Sequence, residues 1–507
     1  MADTTMGTAT RPALFLRNAT GLVKAWSTFD AFIYSFWSIN LITLGLYGMS
    51  YVYWVPDGQL LAAILIFGVL TTFLVITYAM LVSVMPRTGG DYAWQSRVLG
   101  GGLGFVLSIT GWWFTLFLWA PIYANILNVQ FFLPLAYTLG WSNVATFFTS
   151  QTGLFVSCLI VLAFVSVVVT LGMETYARIQ KICFWIGLGG LVVVCGLLLF
   201  ASQSDFQNAF NREAGRLFGA SGNAYQATID LGTKAGYTAH DFAAFSLGPI
   251  FLLMPFLAFY LLWPNWGATL YGEVRGAKDI RKPFWSMFWG LWVTIALVGL
   301  VMILIVKTMG WQFYNSANAA YYNYAFYGGD ATPVTTWPYP VMFAGWLVDN
   351  HLFQALLIIV MGLWFFGWAG TLFLSSTRVI FAAAFDRVLP SWAANISAKR
   401  RVPYGALVLM IVPSVVISAI YARYKVAGVP TITVVAVITA IFLAFMLYEW
   451  SFNSGNLYGT SFQATLNSVY YFLATYVVAI AIYIAARIVR NRQGIDLSRI
   501  HHEIPVE

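Results

Sequence analysis

The sequence predicts an all-α, polytopic membrane protein. Of its 507 residues, 60% are hydrophobic and only 9% charged, with a mean hydropathy of +0.77. A chain of that composition dissolves in lipid rather than water. Apolar runs of about 20 residues, the length a helix needs to cross the hydrocarbon core, recur near 27–50, 59–84, 103–128, 152–171, 182–201, 246–271, 285–308, 352–384, 404–422, 430–451 and 465–489, giving eleven candidate spans. The sixth cannot be a continuous helix. Pro264 lacks an amide proton and clashes with the carbonyl four residues back, and the weak helix formers Asn265 and Gly267 follow at once.

Residues 1–26 form an N-terminal segment without the short apolar core and cleavage site of a signal peptide, so the first span stays in the mature chain. With the N-terminus in the cytoplasm, alternation through the eighth span puts sixteen Lys and Arg inside and four outside: Arg212, Arg216, Lys234 and Lys307. That asymmetry sets the orientation, at the plasma membrane, and explains the net charge of +8 without nucleic acid, because the basic residues lie scattered in loops. The core divides into a first half at about 27–201, an outer loop at 202–245 and a second half at about 246–451. A last span at 452–490 and a tail at 491–507 follow. Cys158, Cys183 and Cys195 lie in apolar segments without metal-ligand spacing and read as small buried hydrophobes.

Span one carries Ser35, Ser38 and Asn40 mid-membrane, then Gly45 and Gly48, and reads as a second interrupted helix. Five spans separate it from the Pro264 break, the offset expected of corresponding positions in two inverted halves. Non-helical backbone at membrane depth is tolerated only where it is buried in protein or lines a cavity, so the groups around Leu262–Trp266 point to a site. The simpler alternatives are a proline kink without a ligand and hydroxyls that only join helices. In the outer loop, Phe206, Phe210, Leu217 and Phe218 fall near one helical face. This predicts a short helix on the membrane or over the outer vestibule, or else an ordered loop. Pro413 and the basic residues Arg423 and Lys425 predict an irregular segment at 404–422, or a missing span near 420–430; eleven or twelve spans are therefore expected.

Three stretches carry a resemblance: Pro-x-x-Gly-Gly-x-Tyr at 86–92, Gly272-Glu273-Val274 after the sixth span, and the run through Ser376, Arg378, Asp386 and Pro390 after the eighth. In this order and at these positions they resemble the amino acid, polyamine and organocation (APC) transporter superfamily, and the tail from Gly494 resembles archaeal amino acid permeases. The resemblance implies a five-plus-five inverted repeat with broken first and sixth helices and substrate between them, flanked by the third and eighth. Counted back from Gly272, the family's unwound segment falls on Leu262–Asn265 and its aromatic gate on Phe259. The glycine-rich break of the family's first helix is replaced here by Ser-Ile-Asn.

The expected function is secondary active transport of amino acids or related amines by alternating access, without a catalytic centre, bound metal or cofactor. The alternative is a carrier of another small organic solute, such as an organocation, polyamine or nucleobase, on the same fold. A membrane enzyme would need a cluster of His and acids at one depth, and a channel would need ordered rings of carbonyls or charges. The expected substrate-binding set is Ser35, Ser38, Asn40, Phe259, Leu262, Trp263 and Asn265. For coupling to protons or sodium, two candidates stand out. Thr371 on span eight could help hold a cation beside span one, and Asp30 is the main acid within a span. Thr371 could equally bond back to its own helix, and Asp30 could serve helix packing. The expected partners are a small-molecule substrate and the bilayer.

Overall fold

The computed structural model describes residues 22–424 and 462–501. Among them ten helices are long and apolar enough to cross a membrane: Thr28–Met49, Leu60–Val84, Gly101–Thr138, Gln151–Thr170, Met173–Phe200, Leu247–Glu273, Arg281–Met309, His351–Phe385, Tyr404–Arg423 and Leu473–Arg492. We number the first nine as spans one to nine and call the tenth the last span. The expected crossing at 430–451 lies outside the described residues. The apolar runs fix where spans occur, whereas their ends follow local chemistry. Span two is capped by the Gln59 side chain, which accepts from the Ala62 amide, and stops before Pro86. Leu65, Val69, Phe73 and Met80, one or two turns apart, face outward, while Ala63, Phe67, Val75 and Ala79 face the protein.

Two expectations are corrected. Span three runs ten residues past the predicted 128, because π-helical turns at Thr110–Phe114 and Asn128–Phe132 loosen it, and Pro134 follows the second turn where a missing amide is tolerated. The predicted irregularity at 404–422 is not found. Tyr404–Tyr424 is one helix with Pro413 inside it, and its propensity for helix outlasts one lost hydrogen bond.

The loop expected at 202–245 contains two helices, Gln203–Phe218 and Ala224–Lys234. Gln203–Phe218 starts in a capping box in which Ser202 and Asp205 exchange side-chain and backbone hydrogen bonds. Its apolar face does not lie open to lipid. Phe206 and Phe210 pack on Phe313 and Phe343, which belong to the helices Trp311–Tyr327 and Pro340–Gly345, so the segment caps the protein itself.

At the opposite end, the three motif stretches meet. Arg378 grips Glu273 with two parallel bonds, Nε to Oε1 at 2.9 Å and Nη2 to Oε2 at 3.1 Å, both side chains almost fully buried. Arg97, in the helix Gly90–Val98 of the reversal after span two, pairs with Asp386 at 2.5 Å. Trp26 joins the same end, pairing its backbone with Glu273 and Arg275. Gly89 starts the reversal helix at φ +88°, where an added Cβ would lie 2.4 Å from the Ala382 Cβ. Its amide donates to Thr269 O at 2.8 Å. Gly89→Ala is therefore expected to cost about 2–5 kcal/mol, combining left-handed strain with overpacking. Thermal unfolding of the purified protein in detergent measures this loss, and an unchanged midpoint would contradict the packing described.

Candidate functional site

Span one breaks at Asn40. The helix Thr28–Ile39 ends there, Asn40 adopts φ 42° and ψ 91°, and the chain resumes as a π-turn at Leu41–Gly45. Asn favours this half of conformational space because its short amide can bond locally. Its Oδ1 accepts from the Thr43 amide at 2.9 Å, while Nδ2 donates to Trp364 O on span eight at 2.8 Å. Asn40 thus both breaks span one and anchors the break.

Span six breaks at Leu262 and Trp263. Leu247–Leu261 is helical, and Pro264 opens a 3₁₀ stretch to Glu273. Proline suits the first position of a new helical segment, where no amide is needed. The helix that leads to the Asn40 break is tied to the break of span six, since Ser35 Oγ donates to the Pro264 carbonyl at 2.9 Å. Ser38 instead donates to Tyr34 O in its own helix.

Aromatic rings fill the space beside the breaks. Phe259 lies parallel to Trp119 of span three, centroids 6.0 Å apart and planes within 8°. Trp263 donates its indole proton to Phe259 O at 2.7 Å and meets Trp266 edge-on at 4.6 Å. From span eight, Trp368 packs on Trp119 and, with centroids 3.9 Å apart, on Tyr123. Two polar atoms here are buried without a hydrogen-bond partner: Trp119 Nε1 and Asn265 Oδ1. Buried polar groups are rarely left so, and a partnerless set in one region points to a ligand that completes them. A sequence profile of amino acid permeases matches residues 27–495. The chain belongs to the amino acid permease family.

It is accordingly a multi-pass membrane transporter, of the APC superfamily, for amino acids or related small solutes. No curated protein matches the sequence. Of the residues singled out in the sequence, the permease brings Ser35, Asn40, Phe259, Trp263 and Asn265 to the two breaks, with Leu262 half-buried at the end of the span-six helix. Thr371 and Asp30 are elsewhere engaged. Thr371 Oγ1 donates to Trp368 O within its own helix at 2.8 Å, while its carbonyl accepts from Tyr34 OH. Tyr34 OH also lies 2.6 Å from Ser375 Oγ, which donates to Trp266 O at 3.0 Å, so spans one, eight and six are tied by one chain of bonds. Asp30 closes a capping box with Ser27 and pairs with Lys181 of span five at 2.6 Å. Sequence reasoning missed Trp119, Tyr123, Trp364 and Trp368. Their signal was present: each pair is spaced i, i+4, so both rings face one side of a helix.

Proposed function

We infer that the permease is a secondary active transporter that takes an amino acid or related amine between its broken first and sixth spans and carries it by alternating access. The observation that carries this reading is the bond from Ser35, one turn before the Asn40 break of span one, to Pro264 at the break of span six. Discontinuous helices offer a substrate the amides of a half-helix N-terminus for its anionic group and unwound carbonyls for its cationic one. In this chain the amides that begin the turn after Asn40 would receive a carboxylate, and the carbonyls near Leu262 and Trp263 an ammonium. The rings of Trp119, Phe259 and Trp368 suit an apolar or aromatic side chain. Following the Lys and Arg asymmetry of the loops, we assign the end bearing the Arg378–Glu273 pair to the cytoplasm and the Gln203–Phe218 helix to the outside.

For coupling, we favour protons or simple exchange over sodium. The Thr371 carbonyl already accepts from Tyr34 OH, so the Tyr34 hydroxyl stands between spans one and eight where a cation would need oxygens. Purified permease in proteoliposomes, given a panel of amino acids and amines as competitors under imposed proton or sodium gradients, tests both points. The expected outcome is competition by a subset of amino acids and uptake indifferent to sodium, with Thr371→Ala retaining at least half of it. Sodium-driven uptake that is lost in Thr371→Ala would reverse the assignment.

A further inference from the structure

One buried acid lies outside the two ion pairs and reaches the substrate region through Tyr78 and Asn265. Asp91 is the second residue of the reversal helix Gly90–Val98 and only 4% exposed. This helix is pressed against the unwound half of span six: the Gly89 amide donates to Thr269 O at 2.8 Å, and a Cβ on Gly90 would lie 2.8 Å from Ala268 O. Asp91 Oδ1 accepts from Tyr78 OH of span two at 2.6 Å. Oδ2 is buried without a hydrogen-bond partner, and so is Oδ1 of Asn265, whose side chain also reaches Tyr78. Trp112 interacts with the carboxyl and packs on Trp266 with centroids 5.5 Å apart. Two acceptors without a hydrogen-bond partner therefore lie around one tyrosine.

The charged groups nearby are committed elsewhere. On span six, Glu273 is held by Arg378 of span eight, and Tyr271 bonds to Ser286. Asp386 is held by Arg97. Tyr92, next along the reversal helix, meets His501 at 3.3 Å. Arg87, four residues before Asp91, forms no ion pair among the described residues. An ionised Asp91 would be a buried, unpaired charge, which proteins avoid by taking up a proton.

We propose that Asp91 is the proton-binding group of the gate at the end of the permease assigned to the cytoplasm. Its carboxyl takes up a proton when the reversal seals against span six and releases it when that seal opens. A proton on Oδ2 makes this unpartnered oxygen a donor and removes the unpaired charge. Burial agrees with this: it pushes the carboxyl up to about 6 from an ordinary 3.8, outweighing the opposing contacts of Tyr78 and Trp112. The protonated form is thus favoured in the sealed state, and the seal weakens as pH rises from about 4 through 6. By linkage the full effect on the sealed-to-open ratio is about a hundredfold. This inference rests on the alternating-access reading, but its test needs no transport.

The test places a cysteine at Ala268, which is fully buried against Gly90. In purified full-length protein the rate of alkylation reports opening, once the labelling of Cys158, Cys183 and Cys195 in the parent is subtracted. Dividing the rate with native Asp91 by the rate in Asp91→Asn removes the thiol's own pH dependence. The expected ratio rises about tenfold between pH 5 and 7.5, because the amide mimics the protonated acid and stays sealed. Asp91→Glu should restore a pH-dependent ratio, which a merely misfolded asparagine variant could not explain. A flat ratio, or one that follows sodium instead of pH, would overturn the proposal. Should the ratio behave as expected while no amino acid is transported, the carrier reading would fail and the gate would stand.

Discussion

Arg378→Met is expected to destabilise the permease by about 3–5 kcal/mol, the usual result of removing one partner from a buried ion pair. Arg378 makes two parallel bonds to Glu273 in a region closed to water, so the variant leaves a buried carboxylate group with its acceptors unmet. Glu273→Met should be similarly harmful. The double variant should be less destabilised than either single one, because two apolar side chains can fill the volume without an orphan charge. Thermal unfolding in detergent measures all three. Additive losses would show that the two residues act independently and would contradict the geometry.

Asn40→Ala is expected to reduce uptake at least tenfold with a much smaller loss of stability. Alanine does not readily hold φ 42°, and it is the strongest helix former, so the chain gains a reason to continue the helix through residue 40. The substitution also removes the bonds to Thr43 N and Trp364 O. Asn40→Gly permits the same backbone without the side-chain bonds and should recover part of the activity. Equal uptake by Asn40→Ala and the native permease would show that the break in span one is not needed.

These two positions also show what was legible in the sequence. Pro255 and Pro413 sit inside unbroken helices, so the interruption of span six could be read only from Pro264 together with the weak helix formers Asn265 and Gly267 that follow it. Asn40 could only be suspected, since asparagine fits a helix, a cap or a left-handed turn. Its conformation is decided by Trp364, 324 residues away in sequence. The motif residues Glu273, Arg378 and Asp386 were visible as a pattern, yet their pairing depends on how the ends of spans six and eight meet the reversal. Asp91 carried no sequence signal, because it fills the unspecified position before Tyr92 in the reversal, in the first turn of a helix where acids are common. Only burial beside Tyr78 and Asn265 sets it apart. Span ends were the least legible feature, as π-turns extend span three without any change in hydrophobicity.

The central claim is that a substrate held between the two breaks is carried by alternating access. Counterflow into proteoliposomes tests it most directly: vesicles are loaded with an unlabelled amino acid identified by competition, and entry of the labelled one is followed without any imposed gradient. The account predicts a transient accumulation above equilibrium that saturates with substrate and disappears in Asn40→Ala. Entry that rises linearly with concentration and ignores the internal load would contradict it and indicate a pore.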